Sequence, residues 1–187
     1  RDILLTCGWL LLYASGAFEV SYQFATRYPD IQLKWLYLLL YSIMFLLMLD
    51  AAGNRSSLFK KPAYIAVLLA AGMLWFLLSA GYTFHIQQEL QQHKAGEIHF
   101  AAHWVSAALM IVVFLRLIRL IRYKIQGISI NYTVLTWLIS IAVVVFISTE
   151  LHLIANAIFL PGAAREDVRR IYTRAGLPIV WSLCSFG

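Results

Sequence analysis

The chain has 187 residues, of which 61% are hydrophobic and only 13% charged, with a net charge of +6. Soluble domains are about 45–50% apolar and about 25% charged, so this composition excludes an ordinary soluble enzyme or binding domain and asks for a bilayer. The excess of base lies mostly in short links between apolar runs, which reads as membrane topology and contact with anionic lipid rather than binding of nucleic acid.

In chain order the sequence predicts five full membrane spans and one truncated one, an all-α, polytopic transmembrane helix bundle forming a single region over 1–187. Each full run approaches the ~20 apolar residues that cross a bilayer. The first span covers about 3–24 and the second about 33–49, with Pro29-Asp30 marking the turn between them. The third begins at Pro62, whose missing N–H costs nothing at a first helical position, and reaches about Phe84. The polar link HIQQELQQHKAGEI leads to a fourth span over about 99–121, and RYKIQGISIN leads to a fifth over about 132–159. Pro161-Gly162 ends the fifth, and a sixth begins near Ala175 and breaks off at 187. No run alternates apolar and polar residues as a membrane β-strand does, and a helix satisfies its own backbone in lipid.

Arg1 in place of methionine, and a final LPIVWSLCSFG that stops within an apolar run, lead us to expect a piece of a longer chain. The remaining spans of that chain and the lipid bilayer are then its partners. The start lacks the pattern of a signal peptide. Cys7 and Cys184 lie in apolar runs without CxxC spacing, so neither a disulfide framework nor a metal knuckle is indicated. Lys and Arg divide eight against seven between the two sides, and eight against three without the last link. That asymmetry places the N-terminus in the cytoplasm.

Alternation of the spans brings all five histidines, His85, His93, His99, His103 and His152, to one side of the membrane, together with Glu19 and Glu150. His99 and His103 stand four apart, a spacing that puts both on one helix face and offers two nitrogens to a metal or, with His152, an axial pair to haem. No Glu follows His99 in an HExxH pattern. Histidines bonded to water, headgroups or neighbouring helices account for the spacing more simply, and no metal or other cofactor is expected. Glu150 and His152 are two apart, about 200° around a helix, so they point to nearly opposite faces. An ionisable residue at depth marks a substrate or proton path, yet the fifth run is long enough to overshoot the hydrocarbon layer and leave Glu150 at the headgroups. Glu150, His152, Glu19, His103 and His99 are the candidate polar site.

FLRLIRLIRYK carries Arg116, Arg119 and Arg122 at every third position, the spacing of a voltage sensor. Their place at the end of a span complete without them favours side chains that snorkel to the headgroups, and with Lys60 and Lys61 they are expected to anchor the chain at the lipid surface. Aromatics such as Trp9, Trp35, Tyr37, Tyr82, Trp104, Trp137 and Trp181 read as interfacial anchors or packing. Ala66, Ala70 and Gly72 in the third span, with Ala101, Ala107 and Ala108 in the fourth, allow helices to approach closely.

VVVFISTELHLI, a basic link and AGLPIVWSLCSF together resemble a late part of the large bacterial membrane proteins of the domain of unknown function 2339 family, and WLLLYASGAFEVSYQF is similar to one of its helices. Glu150 and the segment around Trp181 carry the resemblance. Many members have a basic residue where this chain has Leu151-His152. The resemblance implies a fragment of a polytopic protein of the bacterial cytoplasmic (inner) membrane and supplies no reaction or catalytic residue. Three readings stand at this point: a transport or lipid-handling component, a scaffold or assembly subunit, and a membrane enzyme with a His/Glu metal or haem site. The first is slightly favoured, and no small-molecule or lipid substrate is identified by the sequence.

Overall fold

The computed structural model describes residues 2–29, 32–52, 62–91, 97–123, 132–158, 170–176, 178–179 and 181–182. Among them there is no strand. Six α-helices follow one another: α1 (Asp2–Arg27), α2 (Lys34–Ala52), α3 (Pro62–Leu78), α4 (Ala80–Gln91), α5 (Ala101–Tyr123) and α6 (Tyr132–Ile158). A 3-10 turn over Glu97–Phe100 leads into α5, and a π-turn covers Tyr172–Gly176. Four stretches are long and apolar enough to cross a membrane: Leu4–Arg27, Lys34–Ala52, Ile98–Arg122 and Trp137–Ala157. A fifth is added where α3 and α4, bent by 45° at their junction, form one span. These lengths are those of a membrane-integral protein. Most of the expected sixth span lies outside the described residues, as do Lys60, Lys61 and His93.

One expected boundary shifts. The link expected to begin at His85 is helical as far as Gln91. Glu, Gln and Leu are good helix formers, and Thr83, Ile86, Gln87 and Leu90, spaced three and four apart, are buried along one stripe of α4.

The bend between α3 and α4 has a local cause at Ser79. Its N–H is shared between the carbonyls of Trp75 (3.0 Å) and Phe76 (3.2 Å), and its hydroxyl donates to the Phe76 carbonyl at 2.7 Å. The Thr83 hydroxyl in turn donates to the Ser79 carbonyl at 3.2 Å. Hydroxyls that bond back to the preceding turn draw carbonyls out of line and bend helices.

The contacts divide the chain into two units, Arg1–Ile128 and Ser129–Gly187. In the first, α2 packs against α1, α3 and α5, and α5 also packs against α3. α5 is strongly one-sided: Ala102, Ser106, Met110, Val113, Leu117 and Leu120 are buried, while Val105, Ile111, Val112 and Leu115 are exposed. At one end of the α2–α5 pair the Arg116 guanidinium donates to both Asp50 carboxylate oxygens, from Nε at 2.5 Å and from Nη2 at 3.2 Å. At the other end the Tyr37 hydroxyl and His99 Nδ1 are 2.8 Å apart. In the second unit α6 buries Ala142, Phe146, Ser148, Leu153 and Asn156 and exposes Trp137, Leu138 and Ile141.

Candidate functional site

The site begins with how α1 meets α2. Gly16 has no side chain, and the Tyr41 ring occupies the space: a Cβ built at Gly16 would lie 2.2 Å from the Tyr41 hydroxyl. That close approach lets the Tyr41 hydroxyl donate to the backbone carbonyls of Leu12 (3.1 Å) and Tyr13 (3.4 Å). Tyr13 stacks on Tyr41 with ring centroids 5.7 Å apart, and its hydroxyl lies 2.9 Å from that of Ser42. Trp9 and Tyr13 also contact the Phe45 ring, at 6.1 and 5.1 Å. α1 is therefore held by rings and hydroxyls near its middle and, toward its end, by Phe24 stacked on Tyr37. Its Leu4, Leu10, Leu11 and Phe18 remain exposed.

On either side of that junction the helices leave space. A hollow of about 560 Å³ lies between Thr6, Trp9, Leu10 and Tyr13 of α1, Phe45, Leu46 and Leu49 of α2, and Leu68, Ala71, Gly72 and Trp75 of α3. Toward the start of α2 a second hollow, about 220 Å³, is bounded by Trp35, Leu38, Leu39, Trp75 and the bend residues Ser79, Tyr82 and Thr83. A third, about 360 Å³, lies between Phe18, Ser21, Tyr22 and Ala25 of α1 and Lys34, Trp35 and Leu38 of α2. Trp75 is a wall common to the first two, and Trp35 and Leu38 are common to the last two. Two of the hollows thus flank the first turns of α2, one toward α1 and one toward α3 and α4, and the third lies farther along the helix, toward Leu49. A helix rises 1.5 Å per residue, so the fourteen steps from Trp35 to Leu49 cover about 21 Å.

The walls are apolar with a sparse polar content, as binding clefts for apolar molecules are. At the Lys34 end the chemistry changes. Lys34 Nζ stands 5.6 Å from the centre of the Trp35 indole, a cation–π contact, and Trp35 stacks on Tyr82 of α4 at 5.9 Å. The hollow at the Lys34 end therefore carries a cation, whereas the one at the Thr6 end is lined by aromatic and aliphatic side chains with no charged residue.

The residues singled out from the sequence are held in separate contacts. Glu19 is exposed on α1 and accepts a 2.7 Å hydrogen bond from the Gln23 amide one turn on. His99 sits on the 3-10 turn, bonded to Tyr37 and edge-on to Tyr28, with Phe24 stacked on Tyr37 at 3.9 Å. His103, on α5, is 2% exposed and lies among Phe76, Phe100 and Trp104. The two histidines of the HxxxH spacing thus have different neighbours, and among the described residues no three His, Cys, Asp or Glu side chains gather as metal ligands would. His85 Nδ1 is 3.7 Å from Glu89. Glu150 and His152 lie half-buried on α6, in the second unit. Arg119 and Arg122 are exposed, whereas Arg116 is engaged with Asp50.

Sequence reasoning missed two features. Asp50 was visible as an acid closing an apolar run, but nothing local joins it to Arg116, 66 positions away. The groove had no signal at all, because it consists of space between helices. Comparison with known families, characterised proteins and solved structures finds no match for this chain, so the functional reading rests on its own geometry.

Proposed function

We propose that the chain is a lipid-handling membrane component that accommodates an acyl chain in the groove between α1, α2 and α3. The observation that carries this reading is the set of three apolar hollows that flank α2 between Lys34 and Leu49, with Trp35, Leu38 and Trp75 as their common walls. Their run of about 21 Å exceeds half of the ~30 Å hydrocarbon core, the depth that one leaflet's acyl chains occupy. α1, which forms one wall, is held at Gly16 against Tyr41 and at Phe24 against Tyr37, and the largest of the three hollows is edged by exposed apolar residues, among them Leu10 and Trp75. A lipid entering sideways stays in an apolar medium throughout and leaves no charge to desolvate. The resemblance to a family without an assigned reaction adds no chemistry to this proposal, and membership of that family and a place in the bacterial inner membrane are proposed with it.

The experiment is to reconstitute the chain, measure lipid retained through purification by native mass spectrometry, and measure lipid exchange between vesicles. Ala71→Trp projects an indole into the largest hollow and is expected to abolish retention of one lipid per chain and to slow exchange, with helix content unchanged. If Glu150→Gln stops exchange while Ala71→Trp leaves it intact, the site belongs on α6 and the groove reading is wrong. If neither substitution affects lipid, the chain is a scaffold.

A further inference from the structure

We infer that the Lys34 end of the groove is a headgroup subsite that selects anionic phospholipids, an inference that rests on the lipid-handling reading above. Lys34 lines the hollow of about 360 Å³ together with Ser21, Tyr22 and Trp35, where the apolar groove reaches the first turn of α2. Its ammonium is held over the Trp35 ring. Among the described residues it has no carboxylate partner: Glu19, on the facing helix, accepts from Gln23, and Asp50 is engaged with Arg116 at the opposite end of α2. α2 carries no acid in its first turn that would offset the charge.

A lysine without a carboxylate partner among the described residues, beside an apolar hollow, is complementary to an amphiphile with a negative head and a hydrocarbon tail. The phosphate of an anionic phospholipid meets the Lys34 ammonium, the hydroxyls of Ser21 and Tyr22 offer donors beside it, and the tail lies against Phe18 and Leu38, the latter shared with the neighbouring hollow that Trp75 bounds. A choline headgroup brings its own cation to the same place. The Trp35 face, already occupied by Lys34, is then unavailable to it as an aromatic partner. One lysine near a membrane surface favours an anionic lipid by about fivefold.

The test uses the reconstituted chain in vesicles of equal phosphatidylglycerol and phosphatidylcholine, each supplied in turn with an identical photoreactive acyl chain. Labelled positions are read by mass spectrometry. Labelling at Ile111 and Leu115, on the exposed face of α5, reports the surrounding bilayer and serves as the reference. Labelling around Leu38, Leu46 and Trp75 is expected to favour phosphatidylglycerol about fivefold over that reference. Lys34→Gln should bring the ratio to about one, Lys34→Arg should keep it, and neither should change labelling at Ile111 and Leu115. Groove labelling with equal yield from the two lipids overturns the headgroup inference and leaves the groove reading intact. A preference that survives Lys34→Gln overturns the role of Lys34. Absence of groove labelling from both lipids overturns the groove reading and this inference with it.

Discussion

The two flanks of α2 are built to different standards. On one, Leu36, Ile43 and Asp50 recur every seven residues and so lie on one line of the helix; Leu36 and Ile43 are almost fully buried, and Asp50 grips Arg116 of α5. On the other, Leu38, Ser42 and Phe45 face α1, which meets α2 through Gly16 against Tyr41, the Tyr13–Ser42 hydroxyls and the rings of Trp9, Tyr13 and Phe24, with hollows between these contacts. Both flanks are mostly apolar, so composition does not separate them. What separates them is that α5 presents a continuous stripe of buried side chains, while α1 presents a surface open to lipid along much of its length. Inside a bilayer the hydrophobic effect does not press helices together; packing and polar contacts do.

That contrast can be broken most severely at the closed flank. Asp50→Ala strands the Arg116 guanidinium and is expected to cost about 2–3 kcal/mol, below the ~3–5 of a fully buried pair because Arg116 remains a third exposed. Unfolding by denaturing detergent would measure it. The Asp50→Ala/Arg116→Ala double variant should lose less than the sum of the single losses, and strict additivity would show that the pair contributes nothing. At the open flank, Gly16→Ala forces Tyr41 aside and should cost about 1–2 kcal/mol. In a Tyr41→Ala background the same change should be nearly neutral, and an unchanged cost there would place the clash elsewhere. The smallest effect is expected at the far end of the closed flank, where Tyr37→Phe removes the hydroxyl bonded to His99 and should cost about 1 kcal/mol. The same unfolding assay applies, and a loss as large as that of Asp50→Ala would reverse the order of the two ends.

Much of the scaffold was legible. The all-helical build and four of the long apolar helices followed from run length, with a fifth where α3 and α4 count as one, Pro62 does open α3, and the apolar surplus of α5 fits the one face it buries. The continuation of α4 was hidden by its polarity, since Gln and Glu favour helix as strongly as they favour water, and its four buried positions are too few to outweigh the charges around them. The candidate site was scarcely legible. Charged residues stand out against an apolar background, so Glu19, His99 and His103 drew notice, and the structure engages each with a near neighbour. The groove is a deficit of volume between three helices. A deficit has no residue type, and Gly72 at its edge marks close packing instead, since a Cβ there would lie 2.3 Å from Leu46 Cδ1.

The bend at Ser79 has a mechanical consequence. α3 alone, with 17 residues, is about 25 Å long at 1.5 Å per residue, short of the ~30 Å hydrocarbon layer. Taken as one span with α4, it reaches the far surface only by adding an oblique segment whose vertical reach depends on the 45° angle. A thicker bilayer is met by straightening and a thinner one by closer folding, each at a fraction of a kcal/mol per ångström. Ser79, Tyr82 and Thr83 also bound the middle hollow, so its width changes with that angle. The length of the span and the walls of that hollow are thus set by the same few residues at its knee.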